Sequence, residues 1–365
     1  MSGIVQQLCS NSPQPRALVG GTEENWERFL RQSPRGHFQQ SLRWARVKAL
    51  DGWRGQVHVW PREDNINGGF MLLHKRSRFG PVGFVNKGPV LAEETPEAVA
   101  GAMDAVCRTA KELRLRALVV HPPDASGIRT ADMVRHGFVG SPVPGIADAT
   151  AIATVKGGRP TIESHMSRTA KKHCRQAVRR GVQVLEGSRR DLPVFFGLML
   201  GSCKRQGARP NPDRVEALEA LWDAFDPDVR LFFAHARGTP VAGLLLVRFG
   251  RRCTFWKKGW NEVAPESHAN ALLNYEAMVQ AADWGCDIVD FAAFDRRAAE
   301  QWQAGSPMDD VLARSRHAFN LRLGAKPVLL PRAQVYLPGL VFRLMIGCAL
   351  RCGSLTRELV RRLMR

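Results

Sequence analysis

The sequence predicts an α/β protein made of two tandem domains with mixed sheets, plus a C-terminal helix. Three observations carry this reading. Apolar positions switch repeatedly between helical and strand spacing. Strands joined by tight turns must pair antiparallel, whereas strands joined through a long helix run parallel. The order of elements also recurs: Lys87 and Lys258, each followed by glycine, stand roughly 170 residues apart, and the helix starts and closing strands share that offset.

In the first half, residues 23–32 and 41–50 read as helices. Residues 55–60 and 68–76 form a hairpin about a turn at 65–68, and 84–90 follow. Pro96 opens a helix over 96–113, since proline suits a first helical position. The run 116–122 is a buried strand. The second half repeats this with helices at 192–204 and 213–225, strands at 230–236 and 241–250 about a turn at 237–240, the segment 253–259, a helix over 267–284 and a strand at 286–294. The Ala-, Gly- and Thr-rich segment 146–159 ends in a turn signal, Gly157-Gly158-Arg159-Pro160. Domains are therefore expected at 1–157 and 158–325, with a C-terminal segment over 326–365.

Of 365 residues, 44% are hydrophobic and 24% charged, which excludes a disordered or collagen-like chain. No apolar run is long enough to span a bilayer. The first residues lack the basic start and apolar stretch of a signal peptide, so a cytoplasmic location is expected. The eight cysteines form no CxxC pair and are expected to be reduced, buried thiols. The 53 Lys and Arg exceed the 34 Asp and Glu, for a net charge of +19. That excess predicts either a polyanionic partner (nucleic acid, anionic lipid or a phosphate-rich substrate) or a solvated basic surface.

Two segments concentrate the charge. Arg168, Lys171, Lys172, Arg175 and Arg179 fall at helical steps and share one face, with Ala170, Cys174, Ala177 and Val178 mostly on the other and Gly181 as the helix stop. Five like charges on one face either stand in solvent or await a polyanion. The C-terminal helix carries Leu355, Leu359 and Leu363 on one face and Arg357, Arg361, Arg362 and Arg365 elsewhere. This pattern suits an anionic membrane surface or packing on the body of the protein.

Catalytic motifs are conspicuous by what they exclude. The chain has no phosphate loop of the P-loop type, no G-x-G-x-x-G after a strand, no H-E-x-x-H and no G-x-S-x-G. The element order resembles acetyltransferase (GNAT) domains, yet their pyrophosphate loop, Q/R-x-x-G-x-G/A, is missing, which speaks against ordinary acetyl-CoA binding.

Taken together, residues 37–48 (HFQQSLRWARVK), 86–90 (NKGPV), 167–184, 205–210 (RQGARP), 230–252 and 318–328 (AFNLRLGAKPV) resemble the FemABX family, which builds peptide cross-bridges in bacterial cell walls. The resemblance runs from about Trp26 to Val328 and matches the compact members without a coiled-coil arm. It implies two GNAT-like domains, a last segment returning to the first domain, no coenzyme and no metal. It also implies transfer of an amino acid from aminoacyl-tRNA to an amine of a peptidoglycan precursor. Such chemistry needs a neutral amine, proximity and oxyanion stabilisation, but no ATP. Donor and acceptor both carry phosphates, which suits Arg and Lys.

By the same resemblance, Lys48 and Arg209 match residues that hold the acceptor's diphosphate, and Lys258 joins them. The 168–179 face is the expected tRNA contact. Lys257 and Asn320 are expected near the reaction centre. This chain departs from the family at three places. Pro122 replaces an aspartate, with Asp124 nearby. Asp213 and Lys257 align loosely with acceptor-site tyrosines. Phe319-Asn320 replaces a Phe-Lys pair whose lysine assists transfer. Two alternatives stay open. One is an N-acyltransferase using acyl-CoA or an acyl carrier protein, with Phe255, Trp256, Trp260 and Phe294 as an acyl pocket or simply as core. The other is a non-catalytic RNA- or membrane-binding module.

Overall fold

The computed structural model describes residues 16–17, 22–62, 65–78, 80–141, 143, 145–306 and 315–339. The chain forms two compact units. One runs up to Ile146 and resumes at Pro331; the other is Ala147–Leu330.

The first unit contains β1 (Arg16–Ala17), α1 (Thr22–Gln32), α2 (Leu42–Ala49), β2 (Arg54–Arg62), β3 (Asn65–Ser77), β4 (Gly80–Asn86), β5 (Val90–Leu91), α3 (Pro96–Glu112), β6 (Ala117–His121), α4 (Thr130–Arg135) and β7 (Phe138–Gly140). The hairpin strands run on to Arg62 and from Asn65, so the expected turn residues at 65–68 are already strand. Thr95 caps α3, its hydroxyl accepting from the Ala98 N–H at 3.2 Å, and Pro96 stands in the first turn. That helix is the crossover which lets β4 and β6 pair in parallel.

The second unit contains β8 (Ala149–Thr154), α5 (Gly158–His165), α6 (Arg168–Arg179), β9 (Gln183–Gly187), α7 (Leu192–Arg205), α8 (Glu216–Phe225), β10 (Val229–Ala236), β11 (Thr239–Phe249), β12 (Arg252–Trp260), α9 (Val263–Ser267), α10 (Ala269–Asp283), β13 (Ile288–Ala293), α11 (Arg296–Gln303), α12 (Arg316–Arg322) and β14 (Lys326–Leu329). Here α10 is the crossover, and β12 and β13 are the parallel pair. Its core includes Leu244, Leu246, Phe255, Met278 and Val289.

The two sheets have matching strand orders. With β15 (Gln334–Tyr336) included, the first reads β1-β2-β3-β4-β6-β15-β7 and the second β9-β10-β11-β12-β13-β8-β14. Each sheet receives one inserted strand from the segment that follows the other unit. β8 lies antiparallel between β13 and β14, and β15 lies antiparallel between β6 and β7.

This moves the boundary expected at 157/158. Ala149, Ala151 and Ala153 are buried on one side of β8, so a composition read as a linker is a strand whose small side chains fit a tightly packed layer. The second unit likewise extends through β14, and only the chain from Pro331 onward belongs to the first. The basic helix expected at the C-terminus, with Arg357, Arg361, Arg362 and Arg365, falls outside the described residues. No helix among the described residues is long and apolar enough to cross a membrane.

Candidate functional site and basic face

In the second unit the parallel pair begins and then stops. Arg252, Cys253 and Thr254 pair with Ile288, Val289 and Asp290, and beyond them β12 and β13 share no ladder. A bulge flanks the parting on each strand. Trp256 is the extra residue of β12 where Leu245 faces Lys257 and Leu246 faces Phe255. On β13 the register slips between Asp290 and Ala293, with Ala292 at φ 64°. Bulges bend and twist a strand and re-aim its side chains. The β13 bulge is held by Asp290, which accepts from the Ala292 N–H at 2.8 Å, from the Thr150 hydroxyl and from Arg252 Nη2 at 2.5 Å. In the first unit the equivalent pair stays closed: β4 and β6 pair from Val82/Ala117 to Asn86/His121, and the Gly88 N–H then donates to the His121 carbonyl at 3.1 Å.

Lys258 reaches into this parting. Its Nζ donates to Asn274 Oδ1 of α10 at 3.0 Å and lies 4.8 Å from the Phe291 ring centre and 5.5 Å from that of Phe255. Asn274 is itself 2% exposed, and its Nδ2 donates to the Asn270 carbonyl at 2.8 Å, which turns Oδ1 toward the lysine. Among the described residues no carboxylate pairs with Lys258. Burial, helped by the Arg316 guanidinium and opposed by Asp290, pulls its ammonium down to about 7. Lys258 was expected at the acceptor's phosphates, and in the structure Asn274 engages its Nζ.

The other expected residues are spread out. Lys257 precedes Lys258 on a strand and so points to the opposite face, where α7 lies so close that a Cβ on Gly259 would meet Met199 N at 2.4 Å. Its Nζ stands 4.8 Å from the Trp256 ring centre. Lys257 therefore does not join Lys258 at one centre. Asn320 is buried on α12, one turn beyond Arg316. Arg209 is exposed in the loop between α7 and α8. Lys48, in the first unit, ends α2 in an ion pair with Asp51. Asp124 is paired with Lys87, Nζ to Oδ1 at 2.5 Å and both side chains about nine-tenths buried. Phe255 and Phe294 are core residues, whereas Trp256 and Trp260 are half-buried.

The basic face is continuous. Ser167 caps α6, its hydroxyl accepting from the Ala170 N–H at 3.1 Å, and Ala170, Cys174 and Ala177 are buried. Arg168, Lys172, Arg175 and Arg179 are exposed and Lys171 is half-buried; none of the five has an ion-pair partner among the described residues. Val178, expected on the buried side, is 59% exposed, on the flank of the buried stripe toward Lys171 and Arg175. Burial pushes the Cys174 thiol up to about 12, which makes it inert. Beside these cations His173 stacks on His268 at 4.1 Å; burial, then neighbouring Arg and Lys side chains, hold the His173 imidazole below its ordinary value, and burial, then His173 and those cations, do the same for His268.

Sequence reading missed Asn274 and Asp290. Their signal was a polar side chain among the apolar positions of a helix face and a carboxylate inside a buried strand.

Residues 22–137 match the FemAB family and residues 164–304 the acetyltransferase (GNAT) domain family. The chain is 26% identical over 298 residues to the UDP-N-acetylmuramoylpentapeptide-lysine N(6)-alanyltransferase of Weissella viridescens, covering 76% of this chain and 85% of that protein. It is 24% identical over 238 residues to the lipid II:glycine glycyltransferase of Staphylococcus saprophyticus, covering 60% of this chain and just over half, 56%, of that one. A crystal structure of FemX superposes with a TM-score of 0.76 at 17% identity, over 91% of this chain and 99% of that one. A tandem GNAT protein from the clavulanic acid biosynthesis pathway gives 0.52 at 10% identity, over 89% of this chain and 98% of that one. These two likenesses concern the fold.

Proposed function

We propose that the chain is an aminoacyltransferase of FemABX type, moving an amino acid from aminoacyl-tRNA to an amine of a peptidoglycan precursor or a related phosphate-bearing acceptor. The observation that carries the tRNA donor is the α6 face, five cations with no ion-pair partner among the described residues, in the same unit as the parted strands. A ribose-phosphate chain neutralises such a face along its length.

A coenzyme A donor is less well served. In GNAT domains its diphosphate sits where the chain enters the crossover helix. Here residues 261–268 carry Glu262 and Glu266, fold into α9, and receive Arg180 on the Glu266 carbonyl. The reading therefore takes no coenzyme. Lys48 and Arg209 are assigned to the acceptor's phosphates, and Asn320 supplies an uncharged hydrogen-bonding group. The site of action is the cytoplasm, with the acceptor drawn from nucleotide-linked or lipid-linked precursors.

Binding separates the two donors. Bulk tRNA is expected to bind with a steep salt dependence, while acetyl-CoA shows no saturation up to millimolar concentration. Saturable coenzyme A binding, together with tRNA binding too weak to measure at low salt, would reverse the assignment.

A further inference from the structure

We propose that Lys258 is the proton-transfer residue of this acyl transfer, taking the proton from the attacking amine and delivering it to the leaving ester oxygen. The proposal deepens the aminoacyl-transfer reading and rests on it. Its ground is the position of the lysine: it lies on β12 beyond the point where β12 and β13 stop pairing, and its end group stands 4.8 Å from the Phe291 ring of β13.

Burial and the Arg316 guanidinium oppose the ammonium, while the polar and aromatic contacts around it favour it. One N–H is taken by Asn274 Oδ1, whose own orientation is fixed by the Asn270 carbonyl. Two aromatic rings flank the nitrogen, and Leu244 lies opposite it on β11. The charged groups facing it are Asp290 from β13, already engaged by Arg252, and Arg316 from α12. α10 contributes the uncharged Asn274. The net effect holds the amine near half-deprotonation at neutral pH, where a general base works best.

The step balances. The acceptor enters as a free amine, and its nitrogen attacks the ester carbonyl, forming the N–C bond and an oxyanion. Neutral Lys258 takes one proton from that nitrogen. The oxyanion collapses, the C–O bond to the ribose breaks, and the leaving oxygen takes the proton back from Lys258. Amide and free hydroxyl result, and the lysine is again neutral.

Lys258→Arg is the deciding variant, because arginine keeps the charge a phosphate contact needs but cannot be deprotonated. Lys258→Met, which is nearly isosteric, checks that any loss is not a packing defect, and tRNA binding reports that both proteins are folded. With wild type turning over aminoacyl-tRNA, both variants are expected to lose about 100-fold or more in kcat while acceptor KM changes little. The rise of kcat through pH 7 should vanish in both. Asn274→Leu, which removes an acceptor that favours the ammonium, should move that rise to lower pH. If Lys258→Arg keeps kcat within about threefold, or the pH 7 limb persists in Lys258→Met, the proposal is overturned while the donor assignment stands. Absence of turnover in the wild type overturns both.

Discussion

Reversing Arg175 and Arg179 to glutamate is expected to lower tRNA affinity by a factor of about 100 or more at 0.15 M salt, and to reduce the slope of log K against log salt by about 2. Both side chains are exposed on the last two turns of α6 and touch no described carboxylate, so their reversal removes no internal contact. Glutamate is as good a helix former as arginine. Thermal stability should therefore stay nearly constant, and the effect belongs to binding alone. Filter binding across a salt series measures it. Unchanged affinity and slope would remove α6 from the RNA surface, and the remaining basic residues would have to be searched one face at a time.

The second large effect concerns stability. Gln40 is fully buried, and its side-chain amide stands in for missing sheet bonds: Oε1 accepts from the Met71 N–H at 2.8 Å, and Nε2 donates to the Asn86 carbonyl at 2.6 Å. Its own carbonyl accepts from Trp26 Nε1 at 2.9 Å, and Gly88 packs so close that a Cβ there would lie 2.7 Å from the amide. Gln40→Leu keeps the volume but leaves backbone groups of both β3 and β4 unpaired in a dry place. Loss of roughly 3–5 kcal/mol is expected. It should appear as a lower urea midpoint for the first unit and as faster hydrogen exchange at the Met71 amide. A midpoint within error of wild type would mean that water or a neighbouring group replaces the amide.

Gln40 also shows how the resemblance and the structure divide the work. The segment around His37-Phe38-Gln40-Ser41 helped identify the family, yet its buried members build the first unit: Ser41 caps α2, and Gln40 ties two strands. The hairpins and both crossover helices were legible because their signals are local: turn residues, a Thr95-Pro96 helix start and apolar spacing. β8 was not legible, because alternating alanines and threonines carry little hydrophobic contrast and its partners β13 and β14 come from more than a hundred residues downstream. The insertion of β15 into the first sheet is likewise a contact between distant segments, anticipated only through the family.

The same divide runs through the site. The charged stripe on α6 was visible as spacing, and the structure adds that no carboxylate among the described residues answers it. Lys257 and Lys258 were indistinguishable as neighbours in a sequence; strand alternation sends one toward α7 and the other toward Asn274 and Phe291. The environment of Lys258 depends on two bulges and a ladder that stops after Thr254, none of which has a sequence signature.

The measurement that tests the account most directly is single-turnover transfer. Purified protein in excess is mixed with labelled aminoacyl-tRNA and an amine-bearing muropeptide nucleotide, and amide product is counted before and after ribonuclease treatment of the donor. Product formation that ribonuclease abolishes, with labelled acetyl-CoA giving none, is the predicted result. Product from acetyl-CoA with none from aminoacyl-tRNA would contradict the account.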